Sequence, residues 1–96
     1  MELNVELSDR ARQDIEQMAA YMSEHWSEQV KLNFLLTLTE KMKLISQMPY
    51  LYKASQKQPD VRECVLTKQA VLFYRVRETS VEIITIRSSR QQPGEL

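Results

Sequence analysis

Polar and apolar positions change period twice along this chain, and those changes, with the breaks between them, mark its elements. Residues 2–7 alternate, Leu3, Val5 and Leu7 against Glu2, Asn4 and Glu6, which is the pattern of a strand with one buried face. Ala11, Ile15, Met18, Ala19 and Met22 then recur at spacings of three and four, one stripe of a helix, with Arg10, Arg12, Gln13, Glu16 and Gln17 off it. That helix is predicted to start from an N-cap at Ser8-Asp9 and to run to about His25. A break at His25-Trp26-Ser27 lets Ser27 cap a second helix, with Glu28 in the first turn where the helix dipole favours an acid. Its stripe is Val30, Phe34, Leu35, Leu38, Met42, Ile45 and Met48, broadened by Leu32 and Leu36. Pro49 ends it, because the residue before a proline is pushed out of the helical region. The break between the helices is short, so they form an antiparallel hairpin.

Beyond a loop at residues 50–60 the period returns to two. Strands are predicted at 61–66, 70–77 and 81–88, joined by Thr67-Lys68-Gln69 and Glu78-Thr79-Ser80, both short enough for hairpins. The order β-α-α-β-β-β predicts an α+β fold, with the helical hairpin packed on one face of a small, mainly antiparallel sheet. Strict alternation assigns Leu72, Tyr74, Ile84 and Ile86 to the helix side. It leaves Val65, Val71, Phe73 and Ile83 on the other side, beside Arg75 and Arg87. One hairpin covers one face, so those apolar residues form a candidate binding patch. The alternative is that the long loop folds over them.

The 96 residues allow one domain, 1–96. The only glycine, Gly94, is in the tail, which excludes a glycine-rich phosphate loop or dinucleotide fingerprint. Cys64 is the only cysteine and His25 the only histidine; they make no ligand cluster, so neither metal nor cofactor is expected. Cys64 reads as a small buried hydrophobe, Tyr74 as core, and Trp26 as a core plug at the helix bend. No secretory signal and no membrane-spanning run is found, and a lone cysteine suits a reducing cytoplasm, so a cytoplasmic protein without a membrane partner is expected. Net charge is zero but uneven. Residues 1–48 hold five Lys/Arg against eight Asp/Glu, and residues 49–96 hold eight against five. Such a balance argues against direct sequence-specific nucleic-acid binding, since that affinity begins with phosphate neutralisation.

Several segments, in this order and spacing, carry a family resemblance. They are Tyr21-Met22-Ser23-Glu24-His25-Trp26, the helix end at residues 45–49, Val61-Arg62-Glu63-Cys64, VLFYRV at 71–76, VEIITIRSSR at 81–90 and the closing SRQQP. Together they resemble the RelE/ParE superfamily of type II toxin–antitoxin toxins, most closely its ParE-like, plasmid-stabilisation branch. The resemblance implies a β-α-α-β-β-β toxin and a ParD-like antitoxin that wraps onto it. For ParE-like members it implies inhibition of DNA gyrase; for RelE-like members, cleavage of messenger RNA on the ribosome. RNA cleavage needs a base, an acid and cations on the phosphate. Nucleases of the RelE type carry lysines on the second strand, an arginine early in the third, and an arginine followed by a tyrosine or histidine after the last. Here the second strand offers Arg62, Glu63 and Cys64, the third has Val71, and Arg90 is followed by neither Tyr nor His. Those departures favour a non-catalytic gyrase inhibitor over an endoribonuclease. The candidate target-binding residues are Arg87 and Arg90, then Arg62 and Arg75; Val65, Val71, Phe73 and Ile83 are the candidates for holding the antitoxin.

Overall fold

In the computed structural model, which describes residues 2–88, the elements are β1 (Asn4–Leu7), α1 (Asp9–His25), α2 (Glu28–Gln47), β2 (Arg62–Thr67), β3 (Ala70–Val76) and β4 (Ser80–Ser88). Both predicted caps form. Ser8 Oγ accepts the Ala11 amide and Ser27 Oγ accepts the Val30 amide, each satisfying a free donor of a first turn. The helices lie on one face of a four-stranded sheet of order β1-β4-β3-β2. β2–β3 and β3–β4 pair antiparallel as the short connections require, and β1 closes the far edge by pairing parallel to β4. Between helices and sheet lie Ala11, Met22, Phe34, Leu38, Ile45, Cys64, Leu72, Tyr74, Val81, Ile83 and Ile86, all buried. No helix among the described residues is long and apolar enough to cross a membrane.

β4 departs from strict alternation. Phe73 pairs with Thr85 while Tyr74 pairs with Ile83, so Ile84 is an extra residue, a β-bulge. The bulge reverses the parity of inward positions along the strand. Val81 and Ile83 face the core on one side of it and Ile86 on the other, all at 2% exposure or less. Ile83 therefore belongs to the helix-covered face, and Ile84 is the half-buried bulge residue, both opposite to the sequence-based expectation.

Beyond Ile83, no strand among the described residues flanks β4 on its outer side, because β1 ends at Leu7. The start of α1 completes that edge. The Ser8 amide donates to Ile83 O at 3.0 Å and Ser8 Oγ donates to Ile84 O at 2.6 Å. Asp14 Oδ2 then accepts the Ile86 amide at 3.1 Å and the Thr85 hydroxyl. Ser8 thus caps a helix and a strand with one hydroxyl. Ser46 fastens the other end of β1, accepting the Leu3 amide through its backbone and donating its hydroxyl to Leu3 O.

Several apolar residues of the expected stripes are outside this core. Trp26 is 39% exposed and meets Tyr21 edge-on at 5.9 Å rather than plugging the bend, where it lines a shallow groove with Met22, Val30 and Phe34. Leu32 and Leu36 lie on the outward side of α2, at 50% and 61% exposure, because a single helical layer has no second neighbour there.

Candidate functional site

Strand register sorts the candidate residues by face, since residues directly opposite in a ladder project to the same side. One row runs Val65–Val71–Arg87 across β2, β3 and β4, the next Glu63–Phe73–Thr85, and Arg75 lies opposite Glu82. These are the open side of the sheet. The intervening rows, Cys64–Leu72–Ile86 and Arg62–Tyr74–Ile83, face the helices. Of the four residues proposed to hold a partner, Val65, Val71 and Phe73 come together and Ile83 is removed. Val65 is 62% exposed, and Val71 and Phe73 are half-buried. The loop after α2 does not fold over them. It runs along the outer edge of β2, where Ala54 bridges Arg62 and the Glu63 amide donates to Lys53 O.

The candidate arginines divide in the same way. Arg75 Nε lies 3.1 Å from Asp60 Oδ2, and its guanidinium shares Glu82 with Arg77, so this end of the open face is locally neutralised. Arg87 is exposed and, among the described residues, joins no ion pair. It projects next to Val65 and Val71, so the free cation and the exposed apolar side chains share one end of the face. Arg62 is on the opposite side of the sheet. Its Nη1 donates to Tyr52 O at 2.7 Å and its guanidinium sits 4.9 Å from the centre of the Tyr50 ring. Arg90 lies outside the described residues.

Acid–base chemistry at the sheet is limited by burial. Tyr74 is fully buried and its hydroxyl donates to Pro49 O at 2.7 Å. Burial pushes its pKa up to about 12, partly opposed by the Arg62 charge, so at neutral pH it is a neutral donor that anchors the loop. Cys64 has no exposed surface, and burial raises its pKa, which leaves the thiol protonated and unreactive. His25 is at the α1 terminus, its ring tilted against that of Tyr21 at 4.4 Å. No group of three or more His, Cys, Asp or Glu side chains that could hold a metal is present among the described residues.

A family model described as the ParE toxin of the type II toxin–antitoxin system parDE matches residues 5–93. The chain belongs to the ParE toxin family. The match spans both helices and all but the first residue of the sheet, so the elements just described are the ParE toxin domain itself. No curated protein sequence matches significantly. Among solved structures the ParE fold is similar to the chromosomal ParDE toxin–antitoxin system of P. aeruginosa, with a TM-score of 0.77 at 16% identity, covering 91% of this chain and 96% of that one. It is similar as well to the YoeB/ParE toxin of Agrobacterium tumefaciens, with a TM-score of 0.68 at 11% identity over 90% and 98% of the two chains. The E. coli DinJ–YafQ toxin–antitoxin complex gives a TM-score of 0.66 at 11% identity over 98% and 100%. At such identities the likeness is one of fold.

Within the ParE domain, two residues with evident structural work were not singled out by sequence. Asp14 and Tyr50 act through long-range partners, Ile86 and Arg62, that no local pattern relates to them. The Ile83–Ile84 pair did carry a signal: two adjacent isoleucines in a strand packed on one side cannot both point inward without a bulge.

Proposed function

We propose that this ParE-family toxin binds and inhibits DNA gyrase without catalysing a reaction, and that a ParD-like antitoxin neutralises it by covering the open face at Val65, Val71 and Phe73. The observation that carries the reading is how Arg62 and Tyr74 are used. Both are polar groups of β2 and β3 with the chemistry for phosphate contact or proton transfer, and both are engaged in holding the backbone of the loop after α2. What is left on the open face is an apolar row ending in Arg87, a surface suited to contact rather than to proton transfer. The similar folds of the P. aeruginosa ParDE toxin–antitoxin system and the E. coli DinJ–YafQ toxin–antitoxin complex support a partner of this kind.

Two assays separate the inhibitor from the alternative, a RelE-like ribosome-dependent endoribonuclease. Purified toxin is expected to block supercoiling of a relaxed plasmid by gyrase and to leave ribosome-bound message intact. Untouched supercoiling together with message cut in the ribosomal A site would reverse the assignment. Arg87→Ala combined with Arg90→Ala is expected to abolish growth inhibition in a folded protein; surviving toxicity would remove both arginines from the target site.

A further inference from the structure

The sheet face is not the only unpartnered surface. Residues 41–58 contain Lys41, Lys43, Lys53 and Lys57 and no acidic residue, whereas the chain on either side is mixed in sign. The same stretch exposes three large apolar side chains, Met48 at 50%, Tyr50 at 66% and Leu51 at 49%. None of its four lysines joins an ion pair among the described residues.

These side chains are not exposed for want of a fixed backbone. The Met48 amide donates to Leu44 O, Pro49 O accepts the Tyr74 hydroxyl, and the Leu51 amide donates to Met48 O. Tyr52 O accepts Arg62, and farther along Ser55 Oγ accepts the amides of Lys57 and Gln58. A chain held at so many points presents Tyr50 and Leu51 outward, with the Arg62 guanidinium against the Tyr50 ring. Side chains presented on a fixed frame lose little freedom on binding.

We infer that the 48–57 segment is a second protein-docking surface, and that it receives an acidic amphipathic segment of a partner protein. The apolar side of such a segment would cover Met48, Tyr50 and Leu51, and its carboxylates would meet Lys53, Lys57 and Arg62. The rival occupant is single-stranded nucleic acid, with a base on Tyr50 and phosphates on the lysines. Met48 and Leu51 favour the protein: aliphatic side chains serve neither base stacking nor phosphate contact, whereas an apolar helix face buries them. The surface is separate from the Val65–Val71–Arg87 row, so the inference stands apart from the gyrase reading.

The test is an amide NMR titration of the full chain with three probes. One is a synthetic helical peptide with leucines at three- and four-residue spacing and glutamates between. The second is the same peptide with glutamine for glutamate, and the third is an oligouridylate. The acidic peptide is expected to shift amides in residues 48–57, and to bind about tenfold more weakly to Tyr50→Ala/Leu51→Ala, as when a central contact pair is lost. Lys53→Glu/Lys57→Glu should weaken it by a similar factor. All four positions are exposed, and circular dichroism of each variant checks that it folds. Equal binding of the glutamine peptide, shifts confined to the Val65–Val71–Arg87 row, tighter binding of the oligouridylate at the loop, or no binding of the acidic peptide would each overturn the inference.

Discussion

Phe73 and Tyr74 are neighbours in β3 with opposite surroundings. Tyr74 has no exposed surface, pairs across the sheet with Ile83 and Arg62, and sends its hydroxyl through to the loop at Pro49. Phe73 is half-buried between Glu63 and Thr85, with no helix above it. One residue of displacement along the strand separates the face that holds the molecule together from the face left for other molecules. The difference teaches that apolar content alone does not tell the faces apart, because Val65, Val71 and Phe73 are as hydrophobic as their buried neighbours. What distinguishes them is whether a layer exists to cover them. The polar groups follow the same division. On the covered side Arg62 and Tyr74 are tied to backbone carbonyls, while on the open side Arg75 pairs with surface acids and Arg87 with none among the described residues.

The comparison can be broken most directly at Ile83 and Val71. Ile83→Ala should cost about 2–5 kcal/mol of unfolding free energy, as for a fully buried isoleucine, and Val71→Ala less than about 1 kcal/mol. Equal losses in urea denaturation would mean that the open face is covered after all. Next in size is Asp14→Ala, which leaves the Ile86 amide without its acceptor at the edge of β4. A loss of about 1–3 kcal/mol is expected by the same measurement.

Tyr74→Phe should cost about 1 kcal/mol at neutral pH, the worth of one hydrogen bond. It also carries a pH signature. The folded protein holds the Tyr74 proton more tightly than the unfolded chain, so this stabilisation is complete below pH 10 and is lost as pH rises from 10 to about 12. Stability of the parent protein should fall across that window more steeply than that of Tyr74→Phe; parallel pH profiles would place the hydroxyl in water. The smallest effect on stability belongs to Arg87→Ala, within about 0.5 kcal/mol for an exposed side chain that joins no ion pair among the described residues. Its effect on growth inhibition should be large, and a variant that is destabilised but still toxic would invert the roles given to the two faces.

Much of the architecture was legible in local pattern. The order of elements, both N-caps, the helix break at Ser27 and the end before Pro49 all follow from spacing and from residues within a turn of one another. Cys64 and Tyr74 were read as core, and they are. The assignments of Ile83, Ile84, Trp26 and Arg62 were not recoverable in that way. A run such as Val-Glu-Ile-Ile-Thr-Ile states that a strand is present without stating where its parity changes, and Arg62 gives no local sign of facing Tyr50 and Tyr52.

Period, caps and breakers are properties of a few consecutive residues, and on those the amino-acid sequence alone determined the β-α-α-β-β-β succession and most of the core. The side of the sheet on which a residue ends depends on partners distant in sequence. β4 is divided by a bulge where β1 stops, its free edge is completed by Ser8 and Asp14 more than 70 positions earlier, and the loop after α2 is drawn to the helix side by Tyr74 and Arg62. Those choices exist only once the strands have paired, because unpaired backbone groups and uncovered side chains acquire their cost only when their neighbours are in place.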